Sequence, residues 1–379
     1  MRVVLFCHSI VSDWNHGNAH FLRGVASELL ARGHEVRIYE PRNAWSLENL
    51  VAEYGEEPIR RFHAAFPHLA SVRYDPAALD LEEALDGAGL VLVHEWNEHG
   101  LVARIGCHRR GGGRYRLLFH DTHHRSVTDC AAMASYDLSG YDGVLAFGEV
   151  IREKYVAQGW AKRAWTWHEA ADMRVCAPGL IGQPVSPVIR EDRRNRLSQL
   201  DGDLVWIGNW GDDERTREIE EFLLKPVRDL RLTARVHGVR YPQSALRALA
   251  EAGLEYAGWA PNYEVPSVFS GFRATVHIPR GPYVRSLPGI PTIRVFEALA
   301  CGIPLLSAPW TDSENLFTPG RDFLFARSGE EMKSHLRALR NDAAMSRELA
   351  RRGRETVLAR HTCAHRVDQL LEICQCLSN

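Results

Sequence analysis

The stretch IPTIRVFEALACGIPLLS, residues 290–307, joins a helix to a strand through a tight turn, and its reading decides the fold. At about 100° per residue, Ile293, Val295, Phe296, Leu299 and Ala300 share one broad apolar side. Pro291 suits a first helical turn, Gly302 a left-handed C-terminal position and Pro304 a stop, after which Leu305-Leu306-Ser307 reads as a buried strand. This is one helix-strand step of an α/β sheet. Glu297 falls only about 40° beyond Ile293, so its carboxylate is aimed along the interior or a cleft wall. A buried carboxylate needs a partner, since leaving the ion unpaired costs several kcal/mol. Two partners compete: Arg294, three residues earlier on the same helix, and a pair of ligand hydroxyls.

The same step recurs outward in both directions. Towards the N-terminus, apolar strand-like runs cover 2–9, 35–41, 89–96, 116–121, 143–148 and 163–169, with a helical pattern over about 18–32. A tract rich in Pro, Gly and charge interrupts the rhythm between Cys176 and Asp203, and alternation restarts with runs at 203–211, 231–238, 254–260 and 273–279. The fold class expected is α/β, with two Rossmann-like domains facing across a cleft and C-terminal helices crossing back to the first. The boundaries predicted are 1–176 for the N-terminal domain, 177–202 for the linker and 203–357 for the second domain, with the tail 358–379 packed on the first.

With 379 residues, 45% hydrophobic and 25% charged, the chain has the length and composition of two ordinary globular cores. A formal charge of −2 argues for neither nucleic acid nor an acidic membrane surface as partner. Eight scattered cysteines without a C-x-x-C pair suit free thiols in a reducing cytoplasm. The opening MRVVLFCHS reads as a first buried strand, and no run of 18 apolar residues predicts a membrane span.

Ligands of open α/β sheets bind outside the carboxyl ends of the strands. Those ends are polar and rich in histidine: His94 and Glu95, His120 and Asp121, His168, and His237, with Asp13, His16 and His20 in the loop and helix after the first strand. Gly17 and Asn18 open that helix. The loop GNWGDDERTR, 208–217, offers Gly208 and Asn209 for close backbone approach, Arg215 for a phosphate, and Asp212 or Asp213 as a helix cap. Arg285 sits in HIPRGPYVRSLPGIPT, 277–292, which reads as a long functional loop before Thr292 opens the next helix. No metal site is expected, because no His-x-x-x-His or helical carboxylate cluster occurs, although HDTHH at 120–124 contains ligand types. Asp201-Gly202-Asp203 precedes its strand and reads as a turn. G-x-S-x-G and a G-x-G-x-x-G after the first strand are both missing.

The segment PGIPTIRVFEALACGIPLLS with SENLF at 313–317 resembles the C-terminal signature of glycosyltransferase family 4, and looks like its spore-maturation or spore-coat type. HGNAHFLRGVASELLARGHEVRIYEP (16–41), FHD (119–121) and HEAAD (168–172) resemble the family's N-terminal motifs in order. The resemblance implies a GT-B architecture and transfer of a sugar from a nucleotide diphosphate sugar to a hydroxyl, without metal or other cofactor and with retention of configuration. It assigns Glu297 to the donor's ribose hydroxyls, His120 with Asp121 to the reaction centre, and Arg215, Gly17 and Asn18 to the diphosphate. An inverting reaction would instead need a base such as Asp13, His16 or His20. One departure is plain: the family's first glutamate, eight positions before Glu297, is Gly289 here, which leaves the donor sugar open. A nucleotide-sugar 2-epimerase and a silent binding protein of the same fold are the competing readings.

Overall fold

In the computed structural model, which describes residues 1–176, 200–211 and 213–377, the apolar runs become the strands of two parallel sheets. The first contains β1 (Arg2–Phe6), β2 (Glu35–Pro41), β3 (Ser71–Tyr74), β4 (Ala88–His94), β5 (Arg116–Asp121), β6 (Gly143–Ala146) and β7 (Ala164–Thr166), in the order β3-β2-β1-β4-β5-β6-β7. The second contains β8 (Gly202–Ile207), β9 (Ala234–His237), β10 (Leu254–Tyr256), β11 (Phe272–His277), β12 (Leu305–Ser307) and β13 (Leu324–Phe325), in the order β10-β9-β8-β11-β12-β13. Parallel sheets covered on both faces need nearly continuous Val, Ile and Leu. Val3, Val4, Leu90, Val91, Leu117 and Leu118 are accordingly fully buried.

The chain divides into two compact units. One comprises Met1–Glu169, Ser286–Ile290 and Cys363–Asn379; the other comprises Ala170–Arg285 and Pro291–Thr362. Within the first unit the helix Cys363–Cys376 lies against the helix Ala19–Ala31, tied by Arg32 to Asp368 at 2.5 Å and by Trp167 Nε1 to the Arg366 carbonyl at 2.8 Å. The linker expected over 177–202 lies, up to residue 199, outside the described residues, as does Asp212.

Three local expectations change. Residues 281–286 form a short helix, Gly281–Ser286, instead of belonging to one long loop. The single helix that alternation implies between the runs 203–211 and 231–238 is broken into Thr216–Ile219, a π turn Glu220–Leu224 and Lys225–Leu230. Pro226 has no N–H to donate four residues back, which accounts for the widened turn. The opening helix runs Ile293–Cys301 with Thr292 as N-cap, so Pro291 stands before the helix; Gly302 adopts the expected left-handed conformation at φ 71°.

Candidate active site

Each sheet reverses its strand order once, between β1 and β4 in the first and between β8 and β11 in the second. Loops diverge there and leave a crevice, the general ligand position of such sheets.

At the first switch point, β1 delivers His8, β4 delivers His94 and β5 delivers His120, while His16 comes from the loop that follows β1. The four rings form a buried chain: His8 to His16 at 5.3 Å, His16 to His94 at 6.0 Å and His94 to His120 at 5.4 Å between centroids. His120 ends against Trp167 at 4.8 Å and Phe21 at 5.8 Å and is only 1% exposed. Burial pushes all four pKa values down, His8 to about 4 and His120 to about 3, and those of His16 and His94 well below the usual range. The rings are therefore neutral at physiological pH and act as dipoles and hydrogen-bonding groups, with no proton to give as acids. His94 Nε2 meets the Thr122 hydroxyl at 2.9 Å, whereas Nε2 of His120 and of His16 has no protein partner among the described residues.

Behind this chain lie Glu95 and Asp121, both 0% exposed. Glu95 accepts from the Thr122 amide and Asp121 from the His123 amide at 3.1 Å, so the pair shapes the turn after β5. Burial raises both carboxyls, and Asp121's charge lifts Glu95 further, well above the carboxylate range; Asp121 is pushed up to about 6. Asp121, expected beside His120 at the reaction centre, is enclosed there and accepts from the His123 amide in the turn after β5.

The other N-terminal candidates are placed as follows. Asp13 is held by Arg23 at 2.8 Å, both side chains buried, while Arg23 also donates to the carbonyls of Ile10 and Val11. This corrects the reading of Asp13 as a base, because its charge is already matched. Asn18 caps the helix Ala19–Ala31 by position and donates to Glu169 at 3.0 Å. Gly17 precedes it in the turn, and His20 is buried in that helix's first turn. His168 contacts the Phe147 carbonyl through Nδ1 at 3.0 Å.

At the second switch point, Gly208 and Gly238 bring two backbones together. A Cβ on Gly238 would lie 2.2 Å from the Gly208 carbonyl oxygen, so the approach requires glycine. Asn209 accepts from the Val239 amide at 2.9 Å, and His237, at the end of β9, is buried with its pKa lowered by that burial. Arg215 departs from expectation. Its guanidinium donates to the carbonyls of Ile278 and Asn209, lies over Trp206 at 5.2 Å, and is pushed down to about 10 by burial. It clasps the loop after β8 to the end of β11 and does not project as a phosphate-binding cation. Arg285 is exposed on its short helix.

Glu297 is 1% exposed, and its Oε2 accepts from Arg294 Nη1 at 2.5 Å; Arg294 also reaches Asn262 Oδ1 at 3.2 Å. Thr292 makes no side-chain capping bond, so the helix carrying Glu297 presents an uncapped first turn. Gly289 has φ 88°, a left-handed backbone in which a glutamate would be strained. His277, which strand reading absorbed into β11, also belongs here: Nδ1 meets Ser307 Oγ at 3.0 Å while Nε2 is buried without a partner among the described residues. Its position as the last residue of a strand was the available signal. Among the described residues no group of three His, Cys, Asp or Glu side chains is placed to hold a metal ion, and no helix is long and apolar enough to cross a membrane.

Residues 215–372, less than half of the chain, match a family described as glycosyl transferase-like. No curated protein matches by sequence. Among solved structures, HepE from Anabaena in complex with UDP and glucose aligns over 99% of each chain at 12% identity and a TM-score of 0.68. An α-glucosyltransferase in complex with UDP and a 13-mer DNA containing a HMU base aligns over 99% of each chain at 11% identity and TM-score 0.70. Sucrose-phosphate synthase from Thermosynechococcus elongatus aligns over 100% of this chain and 99% of that one, at 14% identity and TM-score 0.62. The fold is thus that of GT-B glycosyltransferases, and residues 215–372 are similar to the glycosyl transferase-like family.

Proposed function

We propose that the protein transfers a sugar from a nucleotide diphosphate sugar to a hydroxyl acceptor. The observation that carries this is the helix Ile293–Cys301, which combines an N-terminal turn without a side-chain cap with a buried carboxylate about one turn along. Amides of a first turn that no side chain caps and the positive end of the helix dipole suit a diphosphate, and a fixed carboxylate suits vicinal ribose hydroxyls. Uridine diphosphate is the nucleotide to test first, since HepE and the α-glucosyltransferase were solved with UDP.

As the glycosidic bond breaks, negative charge builds on the departing diphosphate, and fixed amides of the helix terminus stabilise it without reorganisation. The chemistry needs no metal in this reading. In this reading the neutral imidazole of His120 serves the transferred sugar as a dipole and hydrogen-bonding group. Retention is the outcome we favour, since the engagement of Asp13 with Arg23 takes away one of the three candidate bases for an inverting reaction, leaving His16 and His20. Eight cysteines without a disulfide suit work in the cytoplasm. Thermal-shift measurement with nucleoside diphosphates and their sugars tests the reading: a ligand at about 100 times its Kd adds about 2.7 kcal/mol. An unmoved transition with every nucleotide of the panel would overturn it.

A further inference from the structure

One cavity in the first unit plays no part in this donor chemistry. It measures about 160 Å³ and lies at the first switch point, beside the ends of β1 and β4. His8, Trp45, Tyr74 and Trp96 give it aromatic walls, and Asn43 and Glu98 supply polar atoms.

Trp45 and Trp96 stand 6.2 Å apart at 71°, which makes a corner and not a slot. A flat aromatic ligand gains most between parallel faces. A saturated ring instead lays its C–H face on one indole and keeps its hydroxyls free for the other side. Both walls are braced in advance, Trp45 by the His8 ring stacked at 4.6 Å and Trp96 by the Arg125 guanidinium at 4.6 Å from its centroid. Preorganisation of this kind lowers the ordering cost of binding.

The polar groups narrow the ligand further. His8 Nε2 accepts the Ser46 amide at 3.3 Å, which puts the proton of the neutral ring on Nδ1; that N–H meets no acceptor among the described residues. Glu98 is the one charged side chain in the lining and accepts hydrogen bonds from hydroxyls while repelling phosphate. Nucleic acids are held chiefly by Lys and Arg on phosphates, and neither lines this cavity. Sites for drug-sized ligands span about 300–1,000 Å³, so this one takes a single ring.

We infer that the cavity receives one uncharged pyranose ring of a carbohydrate, the acceptor end in the proposed transfer. The word acceptor rests on the glycosyltransferase reading; sugar binding does not. The test titrates the full chain with glucose, galactose, mannose and N-acetylglucosamine, with glucose 6-phosphate, and with a short oligodeoxynucleotide. Tryptophan fluorescence and saturation-transfer NMR report binding, and Trp96→Ala and the exposed-site variant Glu98→Lys are run alongside. The UDP-induced thermal shift is recorded on the same preparations. At least one neutral sugar should saturate with a Kd of about 1–10 mM, weakened roughly tenfold or more by Trp96→Ala. Glu98→Lys should weaken the neutral sugar and favour the phosphorylated one, and neither variant should move the UDP shift. Failure of every neutral sugar to saturate overturns the inference. So does unchanged affinity in the folded Glu98→Lys variant, or tighter binding of the oligonucleotide or the phosphate ester by the wild type. Sugar binding without any UDP shift would keep the cavity assignment and sink the donor reading.

Discussion

Arg294 Nη1 donates to Glu297 Oε2 at 2.5 Å from three residues earlier on the same helix. The helix therefore fixes its own carboxylate before any ligand arrives. Glu297→Ala should weaken UDP affinity by about 1–3 kcal/mol, the worth of charge-assisted hydrogen bonds, and leave the fold intact. Arg294→Ala should instead lower Tm more, because it strips this cation from a carboxylate that stays buried. Calorimetric titration and melting of both variants separate the effects. Normal UDP affinity in folded Glu297→Ala would reduce the pair to a helix brace.

Arg215 supplies the second prediction. A lysine keeps the charge but cannot span the carbonyls of Asn209 and Ile278 with one ammonium. Arg215→Lys should cost about 1–3 kcal/mol of stability and loosen the loop after β8, with protection of the Gly208–Gly211 amides against hydrogen exchange falling. Unaltered exchange there would show that the clasp does not hold the loop.

Most of the sheet architecture was legible because buried parallel strands are continuous apolar runs, as RVVLF and GLVLVH are. β3 was missed, since Ser71–Tyr74 is an edge strand of four residues with two polar ones, and β13 has only two residues. The histidines of the first site were legible as a class, because His94 and His120 stand at or next to the ends of readable strands. Their linkage into one chain was not, for it depends on which loops meet. The engagement of Arg215 and of Asp13 was hidden for the same reason: sequence shows a charge, and only packing shows whether it is already matched. Gly289 read as a missing carboxylate and is, in the fold, a residue at φ 88°.

Stability should fall as the pH drops below about 6.5. His8 and His120 have folded pKa values of about 4 and about 3, and those of His16 and His94 are also depressed. Below the unfolded value of 6.5 the unfolded chain binds more protons than the native one, so stability rises with pH across that window. Each depressed histidine contributes up to about 1.4 kcal/mol per pH unit. Asp121, raised to about 6, and Glu95 act in the opposite sense as pH falls, but four imidazoles outnumber two carboxyls. A Tm that stays flat or climbs between about pH 6.5 and pH 4.5 would contradict this balance.

Sugar transfer should persist in EDTA, since the proposed stabilisation of the leaving diphosphate comes from helix amides. Activity lost to EDTA and restored by Mg²⁺ or Mn²⁺ would place a cation where the proposal places the helix terminus.

The central claim is turnover of a nucleotide diphosphate sugar, and the direct measurement is UDP release from UDP-sugars with and without a mixed carbohydrate acceptor pool. It is made on wild type and His120→Ala at matched folded fraction, with Tm and UDP affinity recorded on the same samples. Wild type should release UDP faster when acceptor is present, and His120→Ala should cut that rate by about 10² or more while UDP affinity stays within error of wild type. No UDP release from any UDP-sugar, or an undiminished rate in well-folded His120→Ala, would contradict the account.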